Sequence, residues 1–221
     1  MKRAGAIVLM LGAACAAWAP LSGCELFGVL GTAYEENADH LVKAQNDGLR
    51  GKTYAVVVVS DRGIEADFPG VTAEITARIN DRLADPANAV GATGHIESKA
   101  LLKYLFNHPE ASTKPGGKLA EDLGVDRIIR VDLYEFRIND PGNQYVWEGA
   151  AAATVGLVER ESITPDEYAF RSTQRVTFPD KSGITQSDIS GQVVMSALVK
   201  RITDRVAWLF YDHQEPIRIT Y

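Results

Sequence analysis

Two stretches of the chain carry hydrophobic patterns typical of β-strands in a covered sheet. Tyr54–Val59 is a continuous, β-branched apolar run, which predicts a central strand with both faces buried. Arg127–Phe136 instead alternates, with Ile129, Val131 and Leu133 on one side and more polar residues on the other. This alternation predicts a strand in a sheet that helices cover mainly on one face.

Apolar residues recur at helical spacing in several other stretches. The longest, Ser187–Tyr211, keeps the period over about six turns and predicts a long C-terminal helix. The other predicted helices are Tyr34–Leu49, Val71–Ala84, Glu97–Asn107 and Gly117–Leu123. We therefore expect the strands to be separated by helices in the first half of the chain.

Two further strands are predicted in the second half, at Gln144–Val158 and Tyr168–Phe178, joined by an exposed, charged connection. Ala150–Ala153 is unusual in a strand, because alanine has modest β-propensity, but its small side chains would let a helix approach closely. A short strand is expected within Asn88–His95 and an edge strand within the tail Gln214–Tyr221.

The order of these elements predicts a single α/β (α+β) domain over residues 52–221. We expect a mixed sheet of about four to five strands, helices packed mainly on one face and the long C-terminal helix. The first half has the form of a βαβ unit with a right-handed crossover, with Ser60–Gly70 as a loop, and the later strands form an antiparallel meander.

The N-terminal segment has the parts of an export signal. Lys2 and Arg3 precede the apolar run Ala4–Ala19, and small residues lead up to Cys24. The run is shorter than the roughly 20 residues that a helix needs to cross a bilayer. A cleaved signal is therefore a better interpretation than a permanent membrane span.

The tetrapeptide Leu21-Ser22-Gly23-Cys24 resembles the lipobox of bacterial lipoproteins. The resemblance implies cleavage after Gly23, diacylglycerol on the Cys24 sulfur and a further acyl chain on the new amino terminus, and several acyl chains anchor a protein stably. It predicts a signal peptide at 1–23 and a lipidated N-terminus, tether and short helix at 24–51. An ordinary secretory signal with an incidental cysteine is the alternative.

Composition narrows the possible partners and the chemistry. The only other cysteine, Cys15, lies in the signal, so the mature chain would have no disulfide and no thiolate site. Loss of Lys2 and Arg3 would change the formal charge from -6 to -8. No dense basic stripe is present, so nucleic acid is not an expected partner, and membrane attachment depends on the lipid.

Sequence motifs for chemistry are weak throughout. The four histidines lie at no paired metal-ligand spacing, no G-x-S-x-G occurs, and the glycine-rich stretches 91–94 and 114–118 do not fit a phosphate loop. We therefore predict no catalytic, cofactor-binding or metal-binding residue and no enzymatic activity. Acidic residues cluster around the predicted hairpin and are interpreted as a solvated loop: Glu148, Glu159, Glu161, Asp166 and Glu167.

Four aromatic residues are candidate partner contacts. Tyr145 and Trp147 share one strand face, and Tyr168 and Phe170 share a face on the next predicted strand. They would form a cross-strand cluster, which is either core or, if exposed, a set of anchors for a protein partner.

The arrangement resembles one known group of envelope domains. These are the α/β domains of the curli secretion channel lipoprotein, of the lipoprotein activators of penicillin-binding proteins, and the N-terminal domain of the Tol-system propeller protein. The resemblance is carried by the strand Tyr54–Val59, the helix Val71–Leu83 and the run Leu119–Ile129, in which a helix ends in Leu-Gly-x-Asp before an apolar strand. The loop Ser60-Asp61-Arg62 departs from the group's pattern.

This resemblance implies a periplasmic protein-interaction domain on a lipid anchor at Cys24, without catalysis. The first hypothesis is an accessory lipoprotein that binds or regulates an unidentified envelope protein. One alternative is a subunit of an oligomeric secretion assembly like the curli channel, so the oligomeric state is left open. A weaker alternative is an envelope hydrolase. In enteric bacteria, Asp directly after the lipidated cysteine retains a lipoprotein in the inner membrane. This chain has Glu25 at that position, which favours the outer membrane.

Overall fold

The computed structural model describes residues 39–216, of which 41–215 belong to one compact unit. The export signal, Cys24, most of the tether and Ile217 and Ile219 of the tail lie outside the described residues. The strands are β1 (Asp39–Val42), β2 (Thr53–Ser60), β3 (Gly94–His95), β4 (Arg127–Arg137), β5 (Gly149–Glu159), β6 (Tyr168–Phe178) and β7 (His213–Pro216). The α-helices are α1 (Arg62–Asp67), α2 (Val71–Ala84), α3 (Ser98–Asn107), α4 (Gly116–Leu123) and α5 (Gly191–Ala207).

Five strands form a mixed sheet in the order β3-β2-β4-β5-β6. β2 pairs in parallel with both β3 and β4, whereas β4, β5 and β6 pair antiparallel. β1 and β7 form a separate two-stranded sheet. The predicted mixed α/β fold, the βαβ unit and the later antiparallel meander are thereby confirmed.

The main core lies between one face of the sheet and the helices α2 and α5. Ile129, Val131 and Leu133 of β4 join this cluster together with Leu198 and Ile202 of α5. A smaller cluster on the opposite face packs α3 and α4 against alternate residues of β2 and β4, namely Ala55, Val57 and Ile128. The prediction that both faces of β2 are buried and that helices cover the sheet mainly on one side is confirmed.

Local sequence explains where the helices begin and end. α2 starts after Gly70, whose positive φ of 83° glycine adopts without strain, and ends before Asp85-Pro86. α5 begins at Gly191 because the Ser190 side chain accepts a hydrogen bond from the Val193 amide. Within residues 39–216, no helix combines the length and the apolar composition needed to cross a membrane.

Two predicted elements were wrong, and one predicted strand begins later than expected. The described part of Tyr34–Leu49 is not helical: it contains β1, and the Gln45 and Asn46 amides donate to the Leu209 carbonyl. Its apolar positions were too sparse to define a buried helical face. The loop Ser60–Gly70 contains α1, which Asp61 caps by accepting from the Ile64 amide. The strand predicted from Gln144 begins at Gly149.

Gly149 occupies a position with no room for a side chain. A Cβ there would lie 2.8 Å from the Phe178 carbonyl oxygen and 2.9 Å from methyl carbons of Val194 and Leu198 on α5. We expect Gly149→Val to lower the free energy of unfolding by about 1–3 kcal/mol, the usual cost of overpacking. Urea unfolding measures this change. Gly94→Ala is the control, because its Cβ would meet nothing closer than 3.6 Å, and equal stability of the two variants would contradict the prediction.

Candidate partner-binding surface

The strand pairing separates the four aromatic residues that the sequence placed together. Tyr168 lies opposite Val158 at one end of β5, and Gly149 at the other end lies opposite Phe178. Tyr145 and Trp147 precede Gly149, so they lie toward the end of the sheet away from Tyr168. The predicted cross-strand cluster of all four aromatic residues is therefore wrong.

Three of these aromatic side chains are engaged within the domain. The Trp147 indole N–H donates to the Ile189 carbonyl at 2.8 Å, and the residue is only 6% exposed. The half-buried Phe170 packs edge-on against Phe210 of the core. Tyr168 lies over Gly156 and its hydroxyl donates to Asp132. Tyr145, which is 84% exposed, is the one member of the set that is free to meet a partner.

The acidic hairpin is held by basic residues rather than being free in solvent. Arg127, with a side chain only 6% exposed, contacts Glu161 at 2.5 Å and Glu159 at 3.5 Å. Hydrogen bonds from Arg127 and Lys52 lower the pKa of Glu161 to about 2. Glu159 and Glu161 are thus paired with cations, which gives these two carboxylates a structural role in fastening the hairpin.

The longest unpaired backbone of the sheet belongs to β6. This strand has eleven residues and lies at one end of the sheet, whereas the strand at the other end, β3, has two. An edge strand presents backbone N–H and C=O groups that can pair with another chain. β6 therefore forms the most extensive open edge in the described part of the sheet.

The direction of the free backbone groups follows from two contacts. The Thr177 carbonyl accepts a hydrogen bond from the Arg201 guanidinium, while the Phe178 carbonyl points toward Gly149 of β5. In an antiparallel strand, the N–H and C=O of one residue point the same way and alternate along the chain. The backbones of the odd-numbered residues Arg171–Thr177, which lie beyond the bulge at Ala169, therefore face outward.

The side chains of those residues lie on the sheet face that α2 and α5 do not cover. Arg171, Thr173 and Arg175 are all exposed there. Arg175 reaches across β5 to Glu135 of β4, with nitrogen–oxygen distances of 3.1 and 3.2 Å. Arg171 has no ion pair within residues 39–216. We refer to the outward backbone of Arg171–Thr177 with these three side chains as the β6 edge.

The ion pair between β4 and β6 passes over an alanine. Ala152 lies opposite Glu135 on one side and opposite Arg175 on the other, and it is fully buried. Because a larger side chain at this position would stand between them, the small residue lets the two long side chains meet. The alanine run was predicted to let a helix approach closely, whereas on the face of Ala152 the groups that meet are side chains of the neighbouring strands.

A groove of about 570 Å³ opens at the carboxyl end of β2, between α2 and α3. The connections that follow β2 and β3 run over opposite faces of the sheet. α/β proteins commonly bind ligands where neighbouring connections separate in this way. Leu102, Leu105 and the 86% exposed Phe106 line it together with Arg62 and Glu65. Across residues 39–216, no group of three or more His, Cys, Asp or Glu side chains has the geometry to hold a metal.

Sequence reasoning missed the β6 edge, although a signal was present. Within Tyr168–Phe178, residues 171–175 are all polar, and the strand is followed by a long connection to the last helix. Such a strand has one solvated face, but only the strand order shows that its backbone is unpaired.

Comparisons with known proteins give structural likenesses only. No family model and no curated protein matches the chain. Among solved structures, the PelC dodecamer from Paraburkholderia phytofirmans is 12% identical, with a TM-score of 0.43, over 79% of this chain and 98% of that one. Lipoprotein GNA1162 from Neisseria meningitidis is 13% identical, with a TM-score of 0.42, over 70% and 97%.

A third similar structure is protein XCC0632 from Xanthomonas campestris, which is 12% identical, with a TM-score of 0.36, over 79% of this chain and 93% of that chain. Similarity at this level carries no conclusion about activity or partners, and the assignment of function rests on the chain's own residues.

Proposed function

We propose that this chain is a lipid-anchored accessory lipoprotein of the bacterial cell envelope that binds a protein partner without catalytic turnover. The observation that carries the binding role is the β6 edge, an eleven-residue strand at the open end of the sheet. The anchoring role is supported by the tetrapeptide that ends at Cys24. Together they describe a domain that is held at a membrane and presents an open strand.

The anchor and the location belong to the same proposal. Lipid on Cys24 would leave the domain on the exported, periplasmic side, and Glu25 supports the outer membrane over the inner one.

The mass of the detergent-extracted, lipidated protein distinguishes an accessory protein from a secretion subunit that forms a ring. We expect a monomer or small oligomer in light scattering, because an accessory protein that binds another protein needs no ring of its own copies. A particle of many subunits would contradict the proposal and support the secretion-assembly alternative. The variant Cys24→Ala serves as the control for the lipid, since it should lose membrane attachment while its domain stays folded.

Cross-linking in the host envelope tests partner binding directly. A photo-reactive amino acid at position 173 on the β6 edge should give one discrete cross-linked product. The same amino acid at Lys99, an exposed residue of α3, is the control and should not give that product. Normal function of the unanchored Cys24→Ala variant in its host would count against the anchored role.

A further inference from the structure

We infer that the β6 edge takes up an extended, acidic segment of the partner protein as a sixth strand of the sheet. This inference rests on the proposed function and specifies the chemistry of the partner. The added strand would hydrogen-bond to the outward backbone of Arg171–Arg175, and carboxylates four residues apart would face Arg171 and Arg175.

The two edges of the sheet are protected very differently. β3 offers two residues, which is one of the common ways in which proteins blunt an edge. β6 has eleven residues, contains no proline or lysine, and has its bulge only near the Tyr168 end. Among its outward backbone groups, the Thr177 carbonyl is occupied by Arg201. The outward backbone of Arg171–Arg175 therefore remains open for pairing.

Charge selects the kind of strand that fits. Arg171 and Arg175 stand on one face of β6, two strand periods apart, and no acidic residue lies within the strand. Arg175 shares the Glu135 carboxylate with Arg137, so that one carboxylate does not neutralise both guanidinium groups. Arg171 has no ion pair within residues 39–216. Opposite charges on directly paired residues stabilise neighbouring strands, and like charges destabilise them. An added strand with acidic residues opposite 171 and 175 is therefore preferred.

The same charges disfavour a second copy of this chain as the occupant. A twofold antiparallel pairing of β6 with itself, with the sheet faces aligned, is centred on Thr173. It places Arg171 of each copy opposite Arg175 of the other. Two like-charged pairs would then oppose association, so we commit to an acidic segment of a different protein.

Synthetic peptides provide the probe. A labelled nine-residue β-forming peptide of alternating Thr and Val, with Glu at its third and seventh positions, matches the four-residue spacing of the two arginines. Its partner peptide has Lys at both positions. We expect saturable binding of the Glu peptide to the full-length lipidated protein in fluorescence anisotropy, at least about tenfold tighter than the Lys peptide and weakened by salt. Equal binding of the two peptides would overturn the role of charge.

Backbone pairing is tested at Thr173, whose outward N–H a proline would remove without breaking the ladder to β5. We expect Thr173→Pro to lose Glu-peptide binding and Thr173→Ala to keep it. Arg171→Glu should reverse the preference so that the Lys peptide binds more tightly. Unchanged binding by Thr173→Pro, with its unfolding curve intact, would overturn strand addition. If Thr173→Pro fails to fold, N-methylation of alternate residues along the peptide tests the same hydrogen bonds from the other side.

The outcome separates this inference from the proposed function. If cross-linking at position 173 captures a host protein, but Arg171→Glu leaves that product unchanged and Thr173→Pro still binds the Glu peptide, partner binding stands and strand addition fails. If no partner is captured and light scattering shows a ring of many copies, the proposed function fails. Dimerisation that Thr173→Pro abolishes would overturn the acidic partner in favour of self-pairing.

Discussion

Truncating Leu198 to alanine is expected to lower the free energy of unfolding by about 2–5 kcal/mol, as for other fully buried leucines. Leu198 has no exposed surface, and it lies on α5, which packs against β5, β6 and α2. The cavity would open between α5 and the sheet. The neighbour of Leu198 on β5, Gly149, has no side chain that could fill the cavity.

Val193 provides the matched control on the same helix. It is 49% exposed, so Val193→Ala should change stability by no more than about 0.5 kcal/mol. Urea unfolding followed by tryptophan fluorescence reports the change, since Trp147 is part of the core and Trp208 packs against it. Equal stability of the two variants would mean that α5 does not pack on the sheet as described.

Replacing Arg127 by methionine is expected to cost about 2–3 kcal/mol. The buried guanidinium donates to the carbonyls of Gly48 and Asp126 as well as to Glu161, and methionine would fill the space while leaving these acceptors unpaired. Glu159 and Glu161 are partly exposed, so water can solvate them and limit the loss. Arg160→Met is the control, because Arg160 pairs with Asp126 at the surface, where such pairs contribute about 0–1 kcal/mol.

Acid titration gives Arg127→Met a second, independent readout. The folded-state pKa of Glu161 lies near 2, below its ordinary value of 4.5, so its contribution to stability is present above pH 4.5 and is lost as the pH falls toward 2. Without Arg127 the pKa returns toward its ordinary value. The variant should therefore lose less stability than the wild type between pH 4.5 and 2. Parallel pH profiles of the two proteins would contradict this assignment.

The strongest periodic segments allowed accurate prediction. α2 spans Val71–Ala84 and β6 spans Tyr168–Phe178, both as expected, because each has a clear apolar face and a distinct stop signal. Gly124 ends α4 in the left-handed conformation, as the sequence also predicted. In these segments the local pattern and the tertiary environment favour the same conformation.

Where local pattern and tertiary contact disagree, prediction failed. Gln45 and Asn46 bind the backbone at Leu209, more than 160 residues away in sequence, and no local feature of that segment indicates such a partner. Trp147 was placed on a strand because it lies two residues from Tyr145, but its indole is instead bound by the carbonyl of Ile189. The candidate site depended on strand order, which the sequence does not specify.

The alanine at position 152 has a consequence for how this surface can change over time. Only a small side chain fits at position 152, because the side chains of Glu135 and Arg175 meet above it. A bulkier residue at 152 would separate them, and a shorter residue at 135 or 175 would leave a gap that a bulkier residue could fill. Positions 135, 152 and 175 should therefore covary among descendants of this sequence, although they lie on three different strands.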